Sequence, residues 1–271
     1  MSGSRPNEID QEREAQIRLH CRRAQRVAAA GLGKAALREY QRALRLDAEN
    51  VEAYLGLAET YRLQDRMEDA LRAYSQALRR APHQAEGHLG MAELMVNLGR
   101  PQAASRHLAE AIKCDEDRAY LRYRLGQMYL RDRDYRRALE HLQHAVALAP
   151  WDGFYHFKLA EVHFAQRDWV PAGVEYEAAV ACSRLDDLYH VRLAATYCRL
   201  RQRSRALRAL ARALEIRPDS AVYRCLLADQ LVRLGREQEA EQQYLQAGRL
   251  GAYDRDCLEK TRRRFGKRSD V

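Results

Sequence analysis

The sequence predicts an all-α fold, an array of helix-turn-helix repeats, and three periodic series carry that prediction. Alanine recurs at one constant step at Ala36, Ala70, Ala104, Ala138, Ala172, Ala206 and Ala240. A second alanine series keeps the same step at Ala43, Ala77, Ala111, Ala145, Ala179, Ala213 and Ala247, and a third keeps a small residue at Ala24, Ala58, Ala92, Gly126, Ala160, Ala194 and Ala228. A fixed period of about 20 to 50 residues identifies stacked supersecondary units, none of which can bury its apolar face alone.

The units begin at Ile17, Val51, Ala85, Ala119, Gly153, Asp187 and Ala221. They divide the chain into 17–50, 51–84, 85–118, 119–152, 153–186, 187–220 and 221–254, without insertion or deletion. Inside each unit apolar residues recur at helical spacing in two blocks, as in Tyr54, Leu57, Ala58 and Tyr61 followed by Ala70, Tyr74 and Ala77. A breaker or capping cluster separates the blocks: Gly31 and Gly33, then Gln64 and Asp65, Gly99, Asp132 and Asp134, Asp168, and Gly235. Pro101 and Pro171 stand near the starts of second helices, where a missing N–H costs little. Pro82, Pro150 and Pro218 close the second, fourth and sixth units. Residues 1–16 are expected to be an extension, disordered and then helical from near Asp10, and 255–271 a capping helix followed by a basic tail.

On these residues the chain resembles the tetratricopeptide repeat family. The second unit carries Tyr54, Leu57, Ala58, Tyr61, Ala70, Tyr74, Ala77 and Pro82 of its pattern, and the fourth carries Leu125, Gly126, Tyr129, Ala138, Leu142, Ala145 and Pro150, with Arg122 in the place of the aromatic. The resemblance implies a right-handed superhelical solenoid whose first helices line a concave groove. His163 departs from the pattern, in a place held elsewhere by Val27, Tyr61, Met95, Tyr129, Tyr197 and Leu231.

Composition narrows the function classes. No run of 18 apolar residues exists, so the expectation is a soluble, cytoplasmic protein. Six cysteines at 21, 114, 182, 198, 225 and 257 show no ligand spacing, and neither a zinc site nor a disulfide framework is expected. No HExxH, P-loop or GxSxG motif is present, so no catalytic residue, metal or cofactor is assigned. His20, His88, His156 and His190 share one place in the repeat, one per unit, and read as packing residues; His141 and His144 read as a solvated pair. The net charge is +9 with 42 arginines and 5 lysines, an imbalance that points to coding bias rather than to nucleic-acid binding.

The resemblance assigns groove-facing places, and the residues in them can be read off. An acidic end is formed by Glu52, Glu59, Glu86 and Glu93. A partner-binding stretch follows with Tyr120, Tyr123, Arg124, Gln127, Phe154, Phe157, Lys158, Glu161, Leu188, Val191 and Arg192. Its four aromatics are expected to face solvent beside a cationic ladder of Arg124, Lys158 and Arg192. Some family members clamp C-terminal carboxylates with lysines and asparagines, but Cys21, Gln25, Gly56, Glu86 and Gly90 stand in those places here. Separately, Arg201, Arg205, Arg208 and Arg212 line one face of a second helix. The expectation is a non-enzymatic scaffold or adaptor gripping a peptide with apolar anchors and an acidic flank. The alternatives are a nucleic-acid-associated adaptor using the basic C-terminal third and a self-assembling, homo-oligomeric repeat protein.

Overall fold

A computed structural model of the chain describes residues 6–250, with side chains from Asp10 onward. The described residues form fourteen α-helices and no strand: α1 (Pro6–Ala29), α2 (Gly33–Leu46), α3 (Val51–Leu63), α4 (Met67–Arg80), α5 (Ala85–Asn97), α6 (Pro101–Cys114), α7 (Ala119–Arg131), α8 (Tyr135–Leu148), α9 (Gly153–Ala165), α10 (Trp169–Cys182), α11 (Asp187–Arg199), α12 (Arg203–Ile216), α13 (Ala221–Arg233) and α14 (Glu237–Leu250). Even-numbered helices start at the step of the alanine series from Gly33 to Glu237, and odd-numbered ones do so from Val51 to Ala221. The expected capping helix and basic tail lie outside the described residues, as do the first residues of the N-terminal extension. No described helix is long and apolar enough to cross a membrane.

The chain divides into two compact units, Met1–Met128 and Tyr129–Val271, with the division inside α7. In the first, α1 packs on α2, α3 on α4 and α5 on α6 as hairpins, and α2 and α4 pass the stack on to α3 and α5. In the second, α9 with α10, α11 with α12 and α13 with α14 form the hairpins, joined through α8 to α9, α10 to α11 and α12 to α13.

The alanine series explain the close approach of these helices. Ala36, Ala43, Ala70, Ala77, Ala104, Ala111, Ala172, Ala179, Ala206 and Ala213 are fully buried, while Tyr40, Tyr74, Tyr176 and Tyr244 fill the space around them. Small residues at a contact bring helix axes together, and the rings restore packing density. Four first helices start on side-chain caps: Asn50 accepts from the Ala53 N–H at 2.9 Å, Asp152 from Phe154 at 2.9 Å, Asp186 from Leu188 at 3.0 Å and Ser220 from Tyr223 at 3.3 Å.

The turn inside every hairpin uses one backbone device. Gly31, Asp65, Gly99, Arg133, Arg167, Arg201 and Gly235 all have φ between 59° and 76°, once per repeat and at the same place in each. This left-handed residue reverses the chain within a short turn, and glycine, which adopts it freely, supplies it at only Gly31, Gly99 and Gly235.

Candidate functional site

In the first unit the first-helix face is an internally paired charge network. Arg62 donates to Glu59 through Nε at 2.7 Å and Nη2 at 2.5 Å, and its Nη2 lies 3.6 Å from Glu93. Arg124 donates to Glu93 at 2.6 Å and to the Tyr120 hydroxyl at 2.6 Å. The Tyr74 hydroxyl donates to Glu59 at 3.0 Å. Burial pushes the Glu59 carboxyl up, but the hydrogen bonds and charge of Arg62 outweigh it and hold the group below the usual carboxylate range. Arg118 pairs with Glu86 at 3.1 Å, and Gln25 donates to Glu52 at 3.0 Å. Three glutamates of the acidic end read from the sequence are therefore neutralised, Glu59 by Arg62 three residues on and Glu86 and Glu93 by arginines about one repeat away, while Glu52 meets the uncharged amide of Gln25.

The sixth residue of each first helix decides what the face can carry. A Cβ at Gly56 would fall 2.1 Å from Cζ of Tyr40, and one at Gly90 would fall 2.3 Å from Cε1 of Tyr74. The tyrosine of the preceding second helix thus occupies the space beside Gly56 and Gly90 that a side chain at either place would need.

In the second unit the sixth residues are Lys158, Arg192 and Leu226, and the second residues are Phe154, Leu188 and Val222, all three exposed. Arg192 lies 3.3 Å from Glu161, which also accepts from the Tyr176 hydroxyl. Lys158 pairs with no carboxylate among the described residues; its ammonium stands 5.1 Å from the Phe154 ring centre and 5.3 Å from that of Phe157. The cationic ladder therefore reduces to one uncompensated charge, because Arg124 and Arg192 are each tied to a glutamate.

The expectation of four solvent-facing rings is corrected at two of them. Tyr123 is 8% exposed and Phe157 only 6%. Phe157 stacks on Tyr189 at 4.8 Å and meets Tyr176 edge-on at 5.7 Å, so the fifth residue of α9 is core between consecutive first helices. Phe154 is 37% exposed, Tyr120 is half-buried beside Tyr123, and Gln127, Glu161 and Val191 are half-buried. Other exposed apolar residues that the sequence reading did not select are Trp151 (75%) and Leu185 (85%) in the turns before α9 and α11, and Val222 and Leu226 on α13. Trp151 and Leu185 share one repeat place, a signal visible in the sequence but outside the helical periodicity used to read it.

The recurring histidines tie hairpins together. His20 lies 2.7 Å from Glu39 and His156 lies 2.7 Å from Glu175, each from first helix to second. Nε2 of His88, His156 and His190 approaches the carbonyl six residues back, at Pro82, Pro150 and Arg184, at 2.9, 3.1 and 3.0 Å. Nδ1 of His88 lies 3.3 Å from Nδ1 of His107. His141 stacks on Tyr129 at 5.6 Å while His144 is exposed, so these two are separated. His163 closes α9 with Nδ1 3.9 Å from Asp168. No group of three metal-ligating side chains occurs among the described residues. Cys21, Cys114, Cys182 and Cys198 are free thiols. Arg201, Arg205, Arg208 and Arg212 are all exposed, Arg201 in the turn before α12 and the other three on that helix.

Known proteins agree with this architecture. Three family models, each describing a tetratricopeptide repeat, match residues 21–85, 61–125 and 121–154. No curated protein sequence matches the chain. Among solved structures, PilF of Pseudomonas aeruginosa is 19% identical, covering 79% of this chain and 97% of its own, with a TM-score of 0.62. The C-terminal part of a TPR repeat-containing protein from Cytophaga hutchinsonii is 11% identical over 88% of this chain and 98% of its own, with a TM-score of 0.75. YrrB, described as a TPR protein with an unusual peptide-binding site, is 22% identical over 68% of this chain and 95% of its own, with a TM-score of 0.57. At these identities the likeness speaks for the fold, a protein-interaction architecture in general. With the alanine series, the helical hairpins and the family models in agreement, the chain is a tetratricopeptide repeat protein.

Proposed function

We propose that this protein is a non-enzymatic adaptor that holds a peptide segment of a partner protein against the first-helix face of its second unit. The observation that carries the reading is the pairing of exposed Phe154 and Leu188, at the same place in consecutive repeats, with the uncompensated ammonium of Lys158. Exposed apolar side chains at regular intervals beside one unpaired cation suit a peptide with apolar anchors and an acidic flank. The peptide-binding site named for YrrB is a precedent for such use of the fold. Tyr120, Tyr123, Arg124 and Gln127 act in this reading as supports of the first unit's face rather than as direct contacts.

The test is capture from source lysate followed by peptide arrays of the captured protein. Phe154→Ala with Leu188→Ala, and separately Lys158→Glu, should each lose the partner while the melting temperature stays within a few degrees of wild type. Full retention of the partner by both variants would overturn the assignment.

A further inference from the structure

The outward faces of α10 and α12 complement each other in a way the first-helix face does not use. Along its whole length α10 carries no Lys, Arg or Asp, and its charges are Glu175 and Glu177. Val170 and Val174 are more than half exposed on it. One repeat later α12 presents Arg205, Arg208 and Arg212, with Arg201 just before it. Val174 and Arg208 occupy the same place in consecutive repeats, and Arg205 reaches Glu177 at 4.0 Å, which puts the two faces side by side. Where the helices end, a hollow of about 550 Å³ opens, lined by apolar Val180, Leu185 and Ile216 and by two arginines and two carboxylates, Arg184, Arg212, Glu177 and Glu215.

We propose that this outer surface docks an acidic amphipathic helix of a partner protein. Its apolar face lies along Val170 and Val174 with one large side chain in the hollow, and its carboxylates run along the arginines. Arg205, Arg208 and Arg212 spread over about 10 Å of helix axis with Arg201 just ahead of them, and carboxylates at the same spacing on a partner helix fall opposite. Glu177 and Glu215 already engage Arg205 and Arg212, so Arg201, Arg208 and Arg184 supply the excess charge. Nucleic acid suits the surface less well: the second helices before and after α12 carry Glu175 and Glu177, and Glu237, Glu239 and Glu241, so the positive strip is one helix wide and lies against an apolar one.

The probe is a fluorescein-labelled 18-residue helical peptide with leucines on one face and glutamates spaced by four, three and four along its edge. Anisotropy should show binding weakened at least tenfold by Val174→Glu, by Arg208→Glu with Arg212→Glu, and by glutamine in place of the peptide's glutamates. Circular dichroism should be unchanged in both protein variants. Phe154→Ala with Leu188→Ala should leave this binding intact, which separates it from the first-helix site. No binding to wild type, or equal binding to Val174→Glu, would overturn the proposal. So would tighter binding of a labelled oligouridylate of the same length, or a wild-type dimer in sedimentation that Val174→Glu dissociates.

Discussion

At the scale of single residues, exposure separates side chains that the sequence groups together. Phe157→Ala should cost about 3 kcal/mol in denaturant unfolding, because it removes a ring packed on Tyr176 and Tyr189. Phe154→Ala should change the midpoint little, and equal losses for the two would contradict their different burial. Helical periodicity misreads the fifth-place rings because it reports one helix at a time, whereas Phe157 is buried by a ring on the following first helix. The pairing of Glu93 with Arg124 is hidden for the same reason, since its partner lies 31 residues away. The His88 and His107 pair makes a pH prediction. Burial, then the neighbouring His88, lowers His107 from its ordinary value of 6.5, with Glu110 opposing. Above 6.5 both folded and unfolded forms are neutral and the contribution is complete; below it the unfolded chain takes the proton first, so stability falls with pH until folded His107 titrates. Midpoints measured from pH 7 to pH 5 should fall more steeply in wild type than in His107→Gln, and parallel curves would rule the pair out as the source.

At the scale of the element, the helices are legible in the sequence and their turns only partly so. Caps and prolines mark the helix starts, but the left-handed residue of each turn announces itself only where it is glycine. Arg133, Arg167 and Arg201 adopt that conformation without glycine's freedom. Arg167→Gly should therefore stabilise the protein by about 0.5–1 kcal/mol, read as a higher denaturation midpoint. No gain would mean that the arginine side chain offsets the backbone strain. Gly153 shows the opposite constraint, with an added Cβ falling 2.8 Å from the Ala179 carbonyl oxygen. Gly153→Ala should accordingly loosen α9 from α10 and lower the melting temperature by several degrees, since a backbone atom cannot rotate aside as a side chain can.

At the scale of the whole molecule, each unit is built from neighbouring hairpins, so damage should stay local. Leu94 is fully buried in α5, and Leu94→Ala should cost about 3 kcal/mol there. Hydrogen exchange should show the loss of protection concentrated in α5 and α6, with α13 and α14 unaffected; a uniform loss over all helices would mean global cooperativity. The uninterrupted repeat step invites deletion or exchange of repeats as cassettes, but the tyrosines restrict which exchanges succeed. A block whose first helix has Gly56 or Gly90 accepts Tyr40 or Tyr74 from the block before it, whereas Arg124 and Lys158 follow Leu108 and Leu142. Arg192 nevertheless follows Tyr176, so transplanting the block of Arg124 behind Tyr74 asks that ring to shift rather than barring the exchange outright. Recombination that keeps the reading frame is thus weighted by a steric grammar, cheapest where a ring meets a glycine, as Tyr40 meets Gly56 and Tyr74 meets Gly90.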